Sequence, residues 1–251
     1  MQADLVVKSN SHAGYKLYCG DFRGVAGDIE AGSIGAVISD PPYDSGGFTV
    51  KDKMKSAKIK YVSSKASYQK ILPDIEGDAL HPKAWEQLMM DACLFAKRVL
   101  KEDGIFAFFI DWRNLGDLQK IIASSGLQLR GVVVWDKKNG RPVKNGFRLQ
   151  TEYLIWATKG RIPKRNKPVY LPGVLRHATL SNGKVHITQK PDALMDEIIA
   201  ICSEGETVLD MFMGLGSTGV AALKSGRKFI GIESVPEYFD VAGERCNKAV
   251  K

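Results

Sequence analysis

Seven short apolar runs constrain this chain more than any other feature, at residues 16–19, 35–39, 105–110, 132–135, 153–156, 207–210 and 229–233. They are rich in β-branched and aromatic residues and do not alternate apolar with polar. A strand with one wet face alternates, whereas a continuous run fits a strand covered on both faces, as in a mainly parallel sheet. Helical patterns fall between the runs. Residues 83–100 place Trp85, Leu88, Met89, Ala92, Phe95, Ala96 and Val99 on one apolar stripe, and Gly104 reads as the close of that unit. Residues 191–203 open on Pro191 at the first helical position and carry Leu194, Met195, Ile198, Ile199 and Cys202 on one face. Residues 217–225 follow a glycine turn, and residues 236–249 open on Pro236. Strands alternating with helices predict an α/β fold with a doubly wound, mainly parallel, seven-stranded sheet.

With 251 residues the chain is long enough to bury a full core, and residues 1–251 read as a single domain. Two stretches fit neither strand nor helix. Residues 44–80 are rich in lysine, serine and glycine, and residues 159–187 hold Pro163, Pro168, Pro172 and the turn pair Asn182-Gly183. Loops of this length inside a compact domain usually carry function. No apolar run is long enough to cross a bilayer, which excludes a membrane-spanning helix. The opening residues lack the charged-then-apolar pattern of an export signal, so the expected location is the cytoplasm.

The net charge is +8, and it is concentrated. Residues 137–167 hold ten Lys and Arg against the single acid Glu152, a local +9 that leaves −1 for everything else. A second basic patch is Lys51, Lys53, Lys55, Lys58 and Lys60, opposed only by Asp52. Such fields suit a polyanion, although a solvated, solubilising loop has the same composition. Cys19, Cys93, Cys202 and Cys246 lie far apart in sequence, which argues against a thiol-based zinc site. They read as reduced, mostly buried thiols, and no metal site is expected.

Two sites stand out. Asp40-Pro41-Pro42-Tyr43 directly follows the run 35–39. Ligands of open α/β sheets bind at the carboxyl ends of strands. There the Asp40 carboxylate accepts hydrogen bonds, Pro41 and Pro42 stiffen the turn while lacking N–H groups, and Tyr43 offers a flat face. Together they make a socket for a planar group bearing an amino donor; an ordinary Pro-Pro turn is the alternative. The second site is Asp210-Met211-Phe212-Met213-Gly214-Leu215-Gly216-Ser217-Thr218-Gly219, a strand running through a glycine turn into a helix. Gly214 and Gly216 allow close approach of backbone to ligand, and the helix N-terminus favours negative charge. Glu233 ends the next strand, at the spacing past Gly214 that suits an acid holding a ribose diol. The glycine spacing also fits a nicotinamide dehydrogenase. A dinucleotide fold, however, needs a second mononucleotide half after the acid, and the stretch from Ser234 to Lys251 is too short for one. The rest of the sheet must come from earlier in the chain, so the fold is circularly permuted.

With these motifs in this order, the chain resembles the S-adenosylmethionine-dependent DNA amino-methyltransferases, which modify N6 of adenine or N4 of cytosine, and among them the permuted beta class. The resemblance rests on Tyr18-Cys19-Gly20-Asp21, Asp40 to Tyr43, Trp135-Asp136-Lys137 with Glu152-Tyr153-Leu154, His186-Ile187-Thr188-Gln189-Lys190-Pro191, and the glycine turn with Glu233. It implies a Rossmann-like methyltransferase fold with S-adenosyl-L-methionine as cofactor. It implies that Asp210, Phe212, Gly214 and Gly216 line the cofactor, with Thr218 in the same turn. Glu233 would hold the ribose, Asp21 the adenine amino group, and Thr188 and Lys190 would lie near the methionine end. Met211, Leu215 and Ser217 depart from the family's usual Pro, Ser and Thr. Leu215 in particular removes a hydroxyl near the cofactor, which weakens the expected binding. Read by residue type alone, Thr188 also fits a helix N-cap and Asp21 a turn residue after Gly20.

The expected function is therefore site-specific methylation of the N6 atom of a flipped adenine in double-stranded DNA, within DNA restriction-modification, in a bacterial or phage-infected cell. Asp40, Pro41, Pro42 and Tyr43 are the expected catalytic residues. Adenine over cytosine follows from Asp40, since cytosine-N4 members of the family more often carry Ser there. Residues 159–187 are the candidate target-recognition region and 44–80 a basic DNA-contacting arm. The alternatives are an N4-cytosine enzyme, an RNA or protein-amide methyltransferase, and a DNA-binding protein with a catalytically weak methyltransferase fold. A homodimer is a candidate assembly, and no membrane partner is expected.

Overall fold

A computed structural model describes residues 8–12, 14–43, 82–179 and 190–250. Among the described residues nine strands form one sheet: β1 (Lys8–His12), β2 (Tyr15–Cys19), β3 (Ile34–Ser39), β4 (Leu100–Ile110), β5 (Gln128–Arg141), β6 (Leu149–Thr158), β7 (Val174–Arg176), β8 (Thr207–Asp210) and β9 (Lys228–Glu233). Their spatial order is β1-β2-β9-β8-β3-β4-β6-β5-β7. All seven apolar runs are strands and together form the central seven; β1 and β7 extend the two edges. β2, β9, β8, β3 and β4 run parallel to one another, and β6 runs antiparallel to both β4 and β5.

The helices are α1 (Phe22–Val25), α2 (Pro82–Val99), α3 (Leu115–Ser124), α4 (Asp192–Ile199), α5 (Ser217–Lys224) and α6 (Pro236–Val250). They divide between the faces of the sheet. Trp85, Met89 and Leu118 of α2 and α3 pack with Val37, Phe106 and Phe108. Leu194, Ala221 and Phe239 of α4, α5 and α6 pack with Ala36, Ile38, Ala107 and Phe109. Alternate residues of β3 and β4 thus enter opposite cores, which is why their sequences show no polar alternation.

Several boundaries differ from expectation. Gly104 does not close a helix: α2 passes at Val99 directly into β4, and the Gly104 carbonyl accepts from Lys159 N–H at 3.0 Å inside the sheet. The helix after Pro191 ends at Ile199, with Pro191 as its N-cap rather than its first residue. The arm 44–80 lies outside the described residues. Of 159–187, residues 159–179 are described, and β7 anchors them by pairing Val174, Leu175 and Arg176 with Val134, Trp135 and Asp136. Asp21 caps α1, accepting from Arg23 N–H at 2.8 Å. All four cysteines are buried, and burial pushes the Cys93, Cys202 and Cys246 thiols up to about 12. Among the described residues no helix is long and apolar enough to cross a membrane.

Candidate active site

The two motifs, far apart in the chain, meet because β3 and β8 are neighbours. Ala36 pairs with Val208 and Val37 with Leu209, in parallel, so both strands end at the same edge. An acidic residue follows or ends each of five adjacent parallel strands there: Asp21 after β2, Glu233 on β9, Asp210 on β8, Asp40 after β3 and Asp111 after β4. Ser39 bridges the two motifs. Its buried hydroxyl donates to the Asp210 carboxylate and accepts from Met211 N–H at 2.8 Å and Phe212 N–H at 3.2 Å. Burial pushes the Asp210 carboxyl up to about 6, against hydrogen bonds from Ser39, Thr218 and the Phe212 N–H.

The Asp40 turn is held from outside. Trp85 Nε1 donates to the Pro42 carbonyl at 2.7 Å, and Asn114 Nδ2 donates to the Tyr43 carbonyl at 2.5 Å. Pro41 is buried, and Asp40, Pro42 and Tyr43 are half-buried. The Tyr43 hydroxyl donates to Asp40 Oδ1. Lys190, which the resemblance puts near the methionine end, sets its Nζ 2.5 Å from Asp40 Oδ2. The same ammonium lies 3.1 Å from the Tyr43 hydroxyl and 3.3 Å from Glu152 Oε2. Lys137 meets the other Glu152 oxygen at 3.0 Å. Burial raises Asp40 above the ordinary carboxylate range, Lys190 opposing and Glu152 adding to the rise. Burial acts the same way on Glu152, but Lys190 and Lys137 outweigh it and hold that carboxyl below its ordinary value.

Gly214 and Gly216 have φ of +51° and +76°, the left-handed region glycine adopts without strain. Among the described residues, a methyl group added at Gly214 would meet nothing within 4 Å, whereas at Gly216 it would fall 3.1 Å from Ala242. At Gly219 it would fall 2.5 Å from the Phe229 ring, so the third glycine serves close packing of α5 on β9. Glu233 Oε2 accepts from Gly214 N–H at 2.7 Å and Oε1 from Val235 N–H at 2.9 Å. Both oxygens already hold the loop, with lone pairs remaining. Phe212 is half-buried against Phe22 and Phe108. Asp21 pairs with Arg23 at 2.6 Å. Gly20 N–H donates to the Glu233 carbonyl at 2.8 Å, which brings Asp21 to the same edge. Leu215 turns into the core. Thr218 is buried under the turn, and Thr188 lies outside the described residues.

Sequence reasoning gave no role to Ser39, Asp111 or Glu152. Ser39 carries no signal of its own beyond preceding Asp40. Asp111 follows the run 105–110 as Asp40 follows 35–39, a parallel that was legible.

A family model described as DNA methylase, of the N6/N4 type, matches residues 34–244. The type II methyltransferase M2.LlaDCHI of Lactococcus lactis subsp. cremoris is 29% identical over 240 residues, covering 88% of this chain and 84% of that protein. Among solved structures, the M1.HpyAVI–SAM complex superposes with a TM-score of 0.66 at 24% identity, over 93% of this chain and 99% of that one. The PvuII DNA methyltransferase, described as cytosine-N4-specific, reaches 0.68 at 20% identity, over 92% and 86%. The matched span takes in β3 with its acidic turn, the glycine turn and Glu233; the chain belongs to the N6/N4 DNA methylase family.

Proposed function

We propose that the chain transfers the methyl group of S-adenosyl-L-methionine to the exocyclic N6 of an adenine flipped out of double-stranded DNA. The observation that carries this is the parallel pairing of β3 with β8, which seats the Asp40 turn beside the glycine turn at one sheet edge.

The residues fit such a cofactor: open space at Gly214, an aromatic ring at Phe212, and carboxylates at Glu233 and Asp21 on adjacent strand ends. When bound, S-adenosyl-L-methionine supplies an electrophilic methyl on its sulfonium. The chain does the rest by positioning. Asp40 and the Pro41 carbonyl accept the two amino hydrogens and turn the nitrogen lone pair toward the methyl. Asp40, whose affinity for a proton burial has raised, takes the proton the nitrogen sheds after methylation. Tyr43 lies flat beside the base, and stacking of this kind offsets about 1–3 kcal/mol of the cost of flipping. Direct transfer of this kind requires neither a thiol nucleophile nor a metal.

We assign DNA contact to the β5–β6 hairpin, whose tip exposes Lys144, Phe147 and Arg148, to residues 159–187, and to the arm 44–80. We place this activity in the cytoplasm of a bacterium or phage-infected cell, the relative M2.LlaDCHI coming from the bacterium Lactococcus lactis. The test is incubation with methyl-labelled S-adenosyl-L-methionine and DNA, followed by digestion to nucleosides. Labelled N6-methyladenine is expected, and N4-methylcytosine would overturn the adenine assignment. Asp40→Ala should abolish transfer while leaving cofactor binding by titration largely intact.

A further inference from the structure

The Lys190 ammonium has three protons, and three oxygens receive them: Asp40 Oδ2 at 2.5 Å, the Tyr43 hydroxyl at 3.1 Å and Glu152 Oε2 at 3.3 Å. Around it stand three aromatic rings, Phe109 at 4.9 Å, Tyr43 at 5.4 Å and Trp135 at 5.7 Å to the centroids. An amino group on a flat base would take the same first acceptor, the Asp40 carboxylate, beside the same Tyr43 ring. A plain structural ion pair would need only Asp40. Here a second carboxylate, already paired with Lys137, lies 3.3 Å from the same ammonium.

We propose that Lys190 is a positioning residue: it keeps Asp40 in its ionised, accepting form, stands in the target amino group's place until the base arrives, and is then retained by Glu152. The proposal rests on the methyl-transfer reading above and deepens it.

Among the described residues the titratable groups around Asp40 are Tyr43 from its own turn, Lys190 at the entry to α4, Glu152 on β6 with Lys137 of β5 behind it, and Asp210 on β8 across Ser39; Asp111 after β4, paired with Arg113 at 2.7 Å, acts on Tyr43. Anions outnumber cations once Lys190 is removed. Asp40 would then hold a proton to higher pH and present a donor where an acceptor is required.

The experiment is the pH profile of single-turnover methyl transfer at saturating S-adenosyl-L-methionine. Lys190→Met is expected to move the acid limb up by about one pH unit or more, a loss of about tenfold on that limb that shrinks as pH rises. Lys190→Arg, which keeps the charge, should restore the wild-type limb. Glu152→Gln should lower the limb and raise KM for DNA more than it lowers kcat, because the displaced ammonium has lost its second anion. A Lys190→Met loss of equal size at every pH, or a profile unchanged from wild type, would overturn the proposal. Where Lys190→Met fails to fold, by thermal melting or cofactor titration, Lys190→Arg and Glu152→Gln decide; a Glu152→Gln profile identical to wild type overturns it. The readings fail separately. Methylated cytosine as product would overturn the adenine assignment and leave these limb shifts in place, since both bases present a similar amino group.

Discussion

Asp210 is the residue at which folding and function pull apart. Burial raises its carboxyl to about 6, against hydrogen bonds from Ser39, Thr218 and the Phe212 N–H. A carboxyl that binds its proton more tightly folded than unfolded contributes stability in full below its unfolded value, near 4. That contribution is lost as pH rises through the folded value. A rise of this size corresponds to about 3 kcal/mol. Asp40 and Glu233 are raised as well, and Glu152 is shifted the other way. The cofactor-free protein should therefore lose stability from pH 5 to pH 8. Asp210→Asn keeps an acceptor for the Ser39 hydroxyl, so it should flatten that fall and stabilise the protein at pH 8. Denaturant titrations at the two pH values measure both. Equal slopes in variant and wild type would mean that Asp210 ionises without penalty.

At the scale of elements, the β3–β8 seam matters most, and Ser39 holds it. Ser39→Ala would leave the buried Met211 N–H without its acceptor, at about 1–3 kcal/mol, while Phe212 N–H would keep Asp210 Oδ1 at 3.1 Å. The variant should unfold at lower denaturant and bind cofactor more weakly, while Ser39→Thr, which keeps the hydroxyl, should lose less of both. How much of this was legible varies by element. The seven central strands could be read because each is buried on both faces and so writes a continuous apolar run. β1 (KSNSH) and β7 (VLR) could not, since edge strands this short or polar are made by their partner's backbone. In α3, Leu115, Leu118, Ile121 and Ile122 carry a helical pattern of their own. The Asp40 turn and glycine turn were legible as motifs. Their meeting was implied only by the order of the motifs, and the place of Lys190 was not, because no spacing says which carboxylate a long flexible amine will choose.

For the molecule as a whole, the +8 charge is unevenly held. Part of the basic stretch is tied to the body: Lys137 to Glu152, Lys159 to Glu102, Arg165 to the Ile201 carbonyl. Lys138, Lys144, Arg148, Arg161, Lys164 and Lys167 face solvent. DNA affinity should fall steeply with salt, and neutralising Lys144 and Arg148 together should reduce the log–log slope by about 2. Fluorescence anisotropy across a salt series reads this; an unchanged slope would move the DNA face elsewhere. The strand order carries one more consequence. β8 and β9, encoded last, lie in the middle of the sheet between β2 and β3. A ribosome that has reached residue 200 has built both flanks with a gap between them. On the proposed function, the nascent chain would own the notch for the amino group but nowhere to keep a methyl donor, and unfinished copies would stay silent toward the genome.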